Sequence, residues 1–229
     1  MKELKSIYIN IHGHRFANNI QEWVLRNMFA QDYPPEDVAY GNYSVGLHPY
    51  HIGKVDEEDT LSKVRLATEN LNVCAIGEIG LDKSIDTTFE DQFRVFKAQV
   101  EIAEFAELPV ILHVVRSFNE MIDFMKSHQP VVPMIIHGFK GGPQMADDLV
   151  KAGFYLSFGE AIADGNAKLL ESLRKVPVEN LFLETDEGGL DIREIYQITS
   201  EIKNLSVDLL RLQIFENTKT NFSRFTGRN

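Results

Sequence analysis

The chain has 229 residues, 44% hydrophobic and 25% charged, with a formal net charge of −11 at pH 7. That length and mix describe one globular domain over residues 1–229, large enough to bury a substantial core. The acidity excludes a broad duplex-binding surface, which would be basic, but not a small site where bound cations meet a phosphate.

The opening Met1-Lys2-Glu3-Leu4-Lys5 has no secretory apolar region, and no run is long enough to span a bilayer. A cytoplasmic protein without membrane contact is expected. Ser6 to Ile11 reads as a strand ending in His12-Gly13-His14. Two His separated by one residue project to the same side of an extended segment. Asn19 to Phe29 reads as a short amphipathic segment, followed by a polar, Pro-containing loop. Ser44 to Leu47 is a short strand running into His48-Pro49-Tyr50-His51, and Asp56 to Leu71 has the spacing of a helix. Val73 to Asp82 is a buried-type strand that carries Glu78 near its end. Cys74 within it is the single cysteine, which excludes an internal disulfide and fits an inert buried thiol. Thr87 with Glu90 spells a capping box before a long helix whose stripe is Phe89, Phe93, Phe96 and Val100.

Pro109 to Val115 is the next strand and includes His113, and Ser117 with Glu120 spells a second capping box. Val132 to Phe139 is a strand carrying His137, Phe154 to Phe158 another, and Leu181 to Asp186 the last clear one. Helical segments around 192–205 and 206–216 close the chain. The alternation predicts a mainly parallel α/β domain. His12, His14, Glu78, His113, His137 and Asp186 all fall at C-terminal strand ends, which in a barrel form one rim. An open doubly wound sheet would concentrate a site in one crevice rather than recruit first, middle and last strands. The expected architecture is therefore a TIM-like (β/α) barrel, incomplete or distorted, with about seven parallel strands.

Four His and two carboxylates on one rim suit two divalent cations, zinc first, with magnesium or manganese as alternatives. His12, His14 and Asp186 are assigned to one ion, His113 and His137 to the other, and Glu78 to the bridge. The nucleophile is then a water activated between the cations, with Glu78 and Asp186 as the catalytic carboxylates. Glu184 is assigned to the other side of the last strand and given no part in the site. His128 and His51 read as surface residues, and His48 either points toward substrate or ends its strand.

The motifs resemble those of the TatD family of metal-dependent hydrolases, known as TatD-type deoxyribonucleases, over nearly the whole chain. Asn10-Ile11-His12-Gly13-His14 is similar to the DxHxH opening, Gly46-Leu47-His48-Pro49 to GxHP, and Ala75-Ile76-Gly77-Glu78-Ile79-Gly80-Leu81-Asp82 matches AIGEIGLD. Leu108 to His113 resembles the strand of the third His, His137-Gly138-Phe139 with Gly141 resembles HxFxG, and Leu183-Glu184-Thr185-Asp186 resembles LETD. Asn221 to Phe225 partly matches a terminal Asn-containing motif. The resemblance implies a barrel, two-metal hydrolysis, phosphodiester substrates and the same six ligands. Four departures stand out. Asn10 replaces the opening Asp, and Arg116 follows His113 by three residues rather than two. Glu187-Gly188-Gly189 replaces a Pro-containing continuation, and the stretch from His14 to Gly46 is short for the family's helix, strand and helix.

The leading expectation is a phosphodiesterase or deoxyribonuclease acting on a phosphate-containing small molecule or a DNA end. Arg116, Lys140 and His48 are its candidate phosphate contacts. A metal-dependent amide, ester or lactone hydrolase and a non-catalytic metal-binding interaction protein are the alternatives. Residues 15 to 40, through Phe16, Ile20, Trp23, Val24 and Phe29, are expected to cover the gap left by the missing strand in a monomer, with a weak homodimer as the other way to cover it.

Overall fold

The computed structural model describes residues 7–17, 21–35 and 41–226. Parallel strands β1 (Tyr8–Gly13), β2 (Glu22–Phe29), β3 (Asn42–Gly46), β4 (Val73–Asp82), β5 (Val110–Val115), β6 (Met134–Ile136), β7 (Tyr155–Phe158) and β8 (Leu181–Leu183) pair in chain order. Outside them lie helices α1 (Glu57–Ala67), α2 (Phe89–Ala106), α3 (Phe118–His128), α4 (Pro143–Lys151), α5 (Ala167–Lys175), α6 (Ile192–Lys203) and α7 (Val207–Asn221). The barrel of parallel strands is as expected, and no described helix is long and apolar enough to cross a membrane.

The strand count is corrected from about seven to eight. Glu22–Phe29, expected as an amphipathic cover over a gap, is itself a stave between β1 and β3. Alternate side chains of β2 share a face, and three of them show why a polar-looking segment is a strand. Trp23 is fully buried beside the Phe222 and Phe225 rings, Leu25 is fully buried, and Asn27 hydrogen-bonds the Glu78 carboxylate of β4. Asn27 reads as surface in a sequence and is interior here because the site gives it partners. Ser6, Asn19 and Ile20 lie outside the described residues.

The helix starts differ in detail from their expected caps. Thr88, not Thr87, caps α2 by accepting the Asp91 N–H, and the Ser117 hydroxyl donates back to the Val115 carbonyl instead of capping α3. Below the barrel the chain end folds inward. Phe222 meets Phe182 and Trp23, and the Arg224 guanidinium donates to the carbonyls of Thr68, Asn70 and Val73 at 2.7–2.8 Å.

Closure between β8 and β1 rests on few groups, because β8 is only three residues long. A parallel bridge joins Gly13 to Asp186, and the His12 carbonyl accepts the N–H groups of Asp186 at 3.0 Å and Thr185 at 3.3 Å. Lower down, Ile9 pairs with Trp23 of β2, and no described residue of β8 pairs with it on the other side. The fully buried Tyr196 of α6 substitutes: its hydroxyl accepts the Ile9 N–H and donates to the Ile9 carbonyl, both at 3.1 Å. One hydroxyl thus satisfies a donor and an acceptor that buried backbone cannot leave unpaired. Tyr196→Phe removes both bonds at a dry seam and should lower the unfolding free energy by roughly 2–4 kcal/mol. Urea denaturation with unchanged m-value checks this, and a loss below about 0.5 kcal/mol would contradict the seam role.

Candidate metal centre

The upper ends of β1, β4 and β5, with the turns after β3, β6 and β8, bring seven predicted side chains together. His12 Nε2 lies 3.5 Å from Asp186 Oδ1 and 3.6 Å from Glu78 Oε2, and His14 Nε2 lies 3.4 Å from the same Asp186 oxygen. Glu78 Oε1 is 2.6 Å from His113 Nδ1, 2.7 Å from His137 Nε2 and 3.4 Å from His48 Nε2. Glu78 therefore stands between the His12/His14/Asp186 group and the remaining imidazoles. Arg116 and Lys140, expected near a phosphate, are exposed and form no hydrogen bond or ion pair among the described residues. Gly80 makes the convergence possible: a Cβ there would lie 2.0 Å from the His113 carbonyl oxygen, so only glycine lets β4 run this close to β5.

Two carboxylates that the sequence reading left out stand behind the imidazoles. Asp82 Oδ2 is 3.1 Å from His113 Nε2, and Glu184 Oε1 is 3.3 Å from His137 Nδ1 while also accepting the Gly138 N–H at 2.7 Å. Each of these rings thus has an acceptor behind it and turns its other nitrogen toward Glu78, the arrangement by which a carboxylate fixes the tautomer and orientation of a metal-binding His. Asp82 follows Glu78 by four residues on one strand, so the period of two was a signal for it. The same rule corrects Glu184: two residues before Asp186, it belongs on the site's side and is fully buried there. Asn27 adds a further unexpected contact, accepting the Glu78 N–H at 3.0 Å.

The charges are strongly coupled. Burial disfavours ionised Glu78, yet the His137 charge and hydrogen bonds from His113, His137 and His48 hold its carboxyl well below the usual range. Burial likewise opposes the charge on His137, and the Glu78 and Glu184 carboxylates hold it well above the ordinary imidazole value. The hydrogen bond to Asp186 raises His14 against the effect of burial. Asp186 is lowered because His12 and His14 outweigh its own desolvation.

Whether these residues fit cations is tested by His12. Its ring is fully buried, and among the described residues neither nitrogen has a hydrogen-bond partner. Such an imidazole is costly unless something else takes its lone pair. Nitrogen and carboxylate donors within 4.8 Å of one another, as in the His12/His14/Asp186 and His12/Glu78/His137 groups, are the donor chemistry of zinc and related divalent ions. His48 is different. Its Nδ1 accepts the Tyr50 N–H at 3.1 Å, so the neutral ring carries its proton on Nε2 and offers a donor, not a lone pair, to the site.

Asn10 has a specific substitute for the charge that the opening Asp would bring. Its amide donates to Glu22 Oε1 at 3.2 Å and to Thr185 Oγ1 at 2.9 Å, and its carbonyl accepts the Thr185 N–H at 3.0 Å. Glu22 is buried, so the carboxylate sits on the neighbouring stave, with Asn10 linking it to the turn that carries Asp186. Asn10→Asp alone should therefore destabilise the protein by roughly 2 kcal/mol, because it sets acceptor against acceptor, and adding Glu22→Gln should recover most of the loss. A double-mutant cycle by chemical denaturation checks the coupling.

The family model described as "TatD related DNase" matches residues 36–223. The metal-dependent hydrolase YabD of Bacillus subtilis is 34% identical over 146 residues, 62% of this chain and 57% of that protein. YjjV of Escherichia coli K12, also named a metal-dependent hydrolase, is 28% identical over 85% of this chain and 79% of its own length. The crystal structure of YjjV superposes with a TM-score of 0.84, covering 95% of this chain and 98% of that one at 25% identity. A relative from Erwinia billingiae named 3′-5′ ssDNA/RNA exonuclease TatD is 29% identical over 75% of this chain and 67% of that protein. With the family model covering most of the barrel and the strand-end motifs assembled at one rim, the chain belongs to the TatD family of metal-dependent hydrolases.

Proposed function

We propose that this protein is a phosphodiesterase that hydrolyses DNA at an end or in a single strand, using two divalent cations held by His12, His14, Glu78, His113, His137 and Asp186. The observation that carries the reading is the buried His12 without a hydrogen-bond partner among the described residues, facing Asp186 and Glu78 in a ring of imidazoles. The family's description as DNase and the exonuclease name of the Erwinia relative support the substrate class. Cations bound there would supply Lewis-acid polarisation of the phosphoryl oxygens and a water of lowered pKa.

The chain's own groups divide the remaining work. Glu78 is 7% exposed and Glu184 fully buried, whereas the Asp186 side chain is 43% exposed. Asp186 is thus the carboxylate of the set that meets solvent and can orient an attacking water and take its proton. His48, with its proton on Nε2, donates to a phosphate oxygen or the leaving oxygen. Glu184 and Asp82 keep His137 and His113 in one tautomer. The net charge of −11 restricts the protein to this local recognition rather than to tracking along duplex.

Two measurements test the proposal. Elemental analysis should find close to two divalent ions per chain, and Glu78→Ala should lose both. In the cation-free protein His137 and His14 hold their protons to higher pH than ordinary imidazoles. Cation binding near pH 7 should therefore release protons, read by calorimetry in buffers of different ionisation enthalpy. Cation uptake without proton release would contradict the ligand set.

Second, metal-loaded protein is incubated with 5′-labelled single-stranded and duplex DNA, a generic phosphodiester, a phosphomonoester, and small esters and lactones. Cleavage of single strands or diester that chelator abolishes, and that Asp186→Asn lowers by at least about 100-fold, is the expected result. Turnover confined to carbonyl substrates would overturn the phosphodiesterase reading.

A further inference from the structure

Phe29, the last residue of β2, is in the wrong company for a core residue. It is half-buried, and among the described residues it joins neither apolar cluster of the fold. Its ring neighbours are instead His51 at 4.8 Å, His48 at 6.1 Å and His14 at 6.4 Å between centroids. None of the three lies parallel to it, with interplanar angles of 54–69°. By alternation it shares a face with Asn27, which touches Glu78, so the ring stands above the catalytic carboxylate on the inner wall.

The aromatic surface continues outward. His51 meets Tyr50 at 5.4 Å, and Tyr50 is 51% exposed. At the far end the Lys54 ammonium sits 3.1 Å from the Tyr50 ring centroid. A line of rings thus starts at His48, beside the proposed reaction centre, and ends at a cation in solvent. Packing does not require such a line, since Phe29 and Tyr50 contribute to no apolar cluster.

We propose that Phe29 and His51 form a stacking face for the base of the nucleotide whose phosphate is attacked, with Tyr50 and Lys54 continuing the path toward the next nucleotide. Flat uncharged rings beside a phosphate site suit a nucleobase, and a base of any identity has a π-face, so the subsite favours nucleotides over simple phosphate esters without reading sequence. Only an unpaired base can lie on such a wall, which selects single strands and frayed ends. Phe29 is here a specificity-determining residue and touches none of the reacting atoms.

This inference rests on the phosphodiesterase reading, and its test separates the two. Binding of thymidine 5′-monophosphate and of 2-deoxyribose 5-phosphate to metal-loaded protein is measured by calorimetry. Alongside it, cleavage is measured on a single-stranded oligonucleotide and on the same strand with an abasic tetrahydrofuran terminus. The wild type should bind the base-bearing ligand about 5- to 100-fold more tightly, and Phe29→Ala should erase that preference while binding the sugar phosphate unchanged. In cleavage the variant should raise KM for the normal strand, leave kcat within about twofold, and treat the abasic strand as the wild type does. Phe29→Trp should restore the preference. Equal affinity of the wild type for both ligands overturns the stacking face, as does equal loss on both in Phe29→Ala and Phe29→Leu with metal content intact. A base preference without any cleavage supports the face and overturns the phosphodiesterase; metal-dependent cleavage indifferent to the base does the reverse.

Discussion

The carbonyl of His12 accepts the N–H groups of both Thr185 and Asp186, and on that contact the first and last strands become neighbours. His12 and His14 arrive from one side of the seam and Asp186 from the other, so the seam and the His12/His14/Asp186 group are one construction. Because β8 is short, the closure cannot draw on a long ladder of backbone bonds. It uses side chains instead: Tyr196 completes the Ile9 backbone below, and Asn10 grips Thr185 from alongside. Stability at this edge and geometry at the rim depend on the same few polar groups.

Around Glu78 the rim solves an electrostatic problem. Imidazoles crowd one nearly buried carboxylate, and other carboxylates stand behind them, so imidazoles and carboxylates alternate outward from the centre. These groups are largely desolvated, and each is tolerable because its neighbours offer polar partners. Divalent cations bound there would compete with protons for His14 and His137, whose carboxylate neighbours hold them above the ordinary imidazole value, which links occupancy to pH. The acidic exterior plays little part in this balance, since at physiological ionic strength surface charges beyond about 8 Å are largely screened from the site.

Much of this was written legibly in the chain. Val73–Asp82 and Pro109–Val115 are largely apolar runs that carry Glu78 and Asp82, and His113, in their second halves, the pattern of central parallel strands, and they lie where expected. Glu22–Phe29 was harder because Glu22, Arg26 and Asn27 interrupt its apolar residues. Its polar residues are explained by partners up to 51 positions away, such as Glu78 for Asn27, which local periodicity cannot see. Glu184 lies two residues before Asp186, so the period of two puts both on the site's side, although the chain turns there and Asp186 adopts a positive φ of 51°. The role of His48 was left open in the sequence because a tautomer is set by a backbone donor, and that donor appears only when Pro49–His51 coils into its short helix.

The seam also has a meaning in time. During synthesis the ribosome releases His12, Glu78, His113 and His137 well before Asp186, so a nascent chain carries most of a cation-binding cluster with neither its last carboxylate nor the strand that fixes His12. Tyr196, which pins Ile9, emerges later still, and Phe222 and Arg224, which pack against the barrel floor, later than Tyr196. A side-chain cluster distributed in this way stays incomplete until the Asp186 segment has been synthesised. Premature termination anywhere before the last strand would therefore release a fragment lacking both the Asp186 carboxylate and the contact that fixes His12.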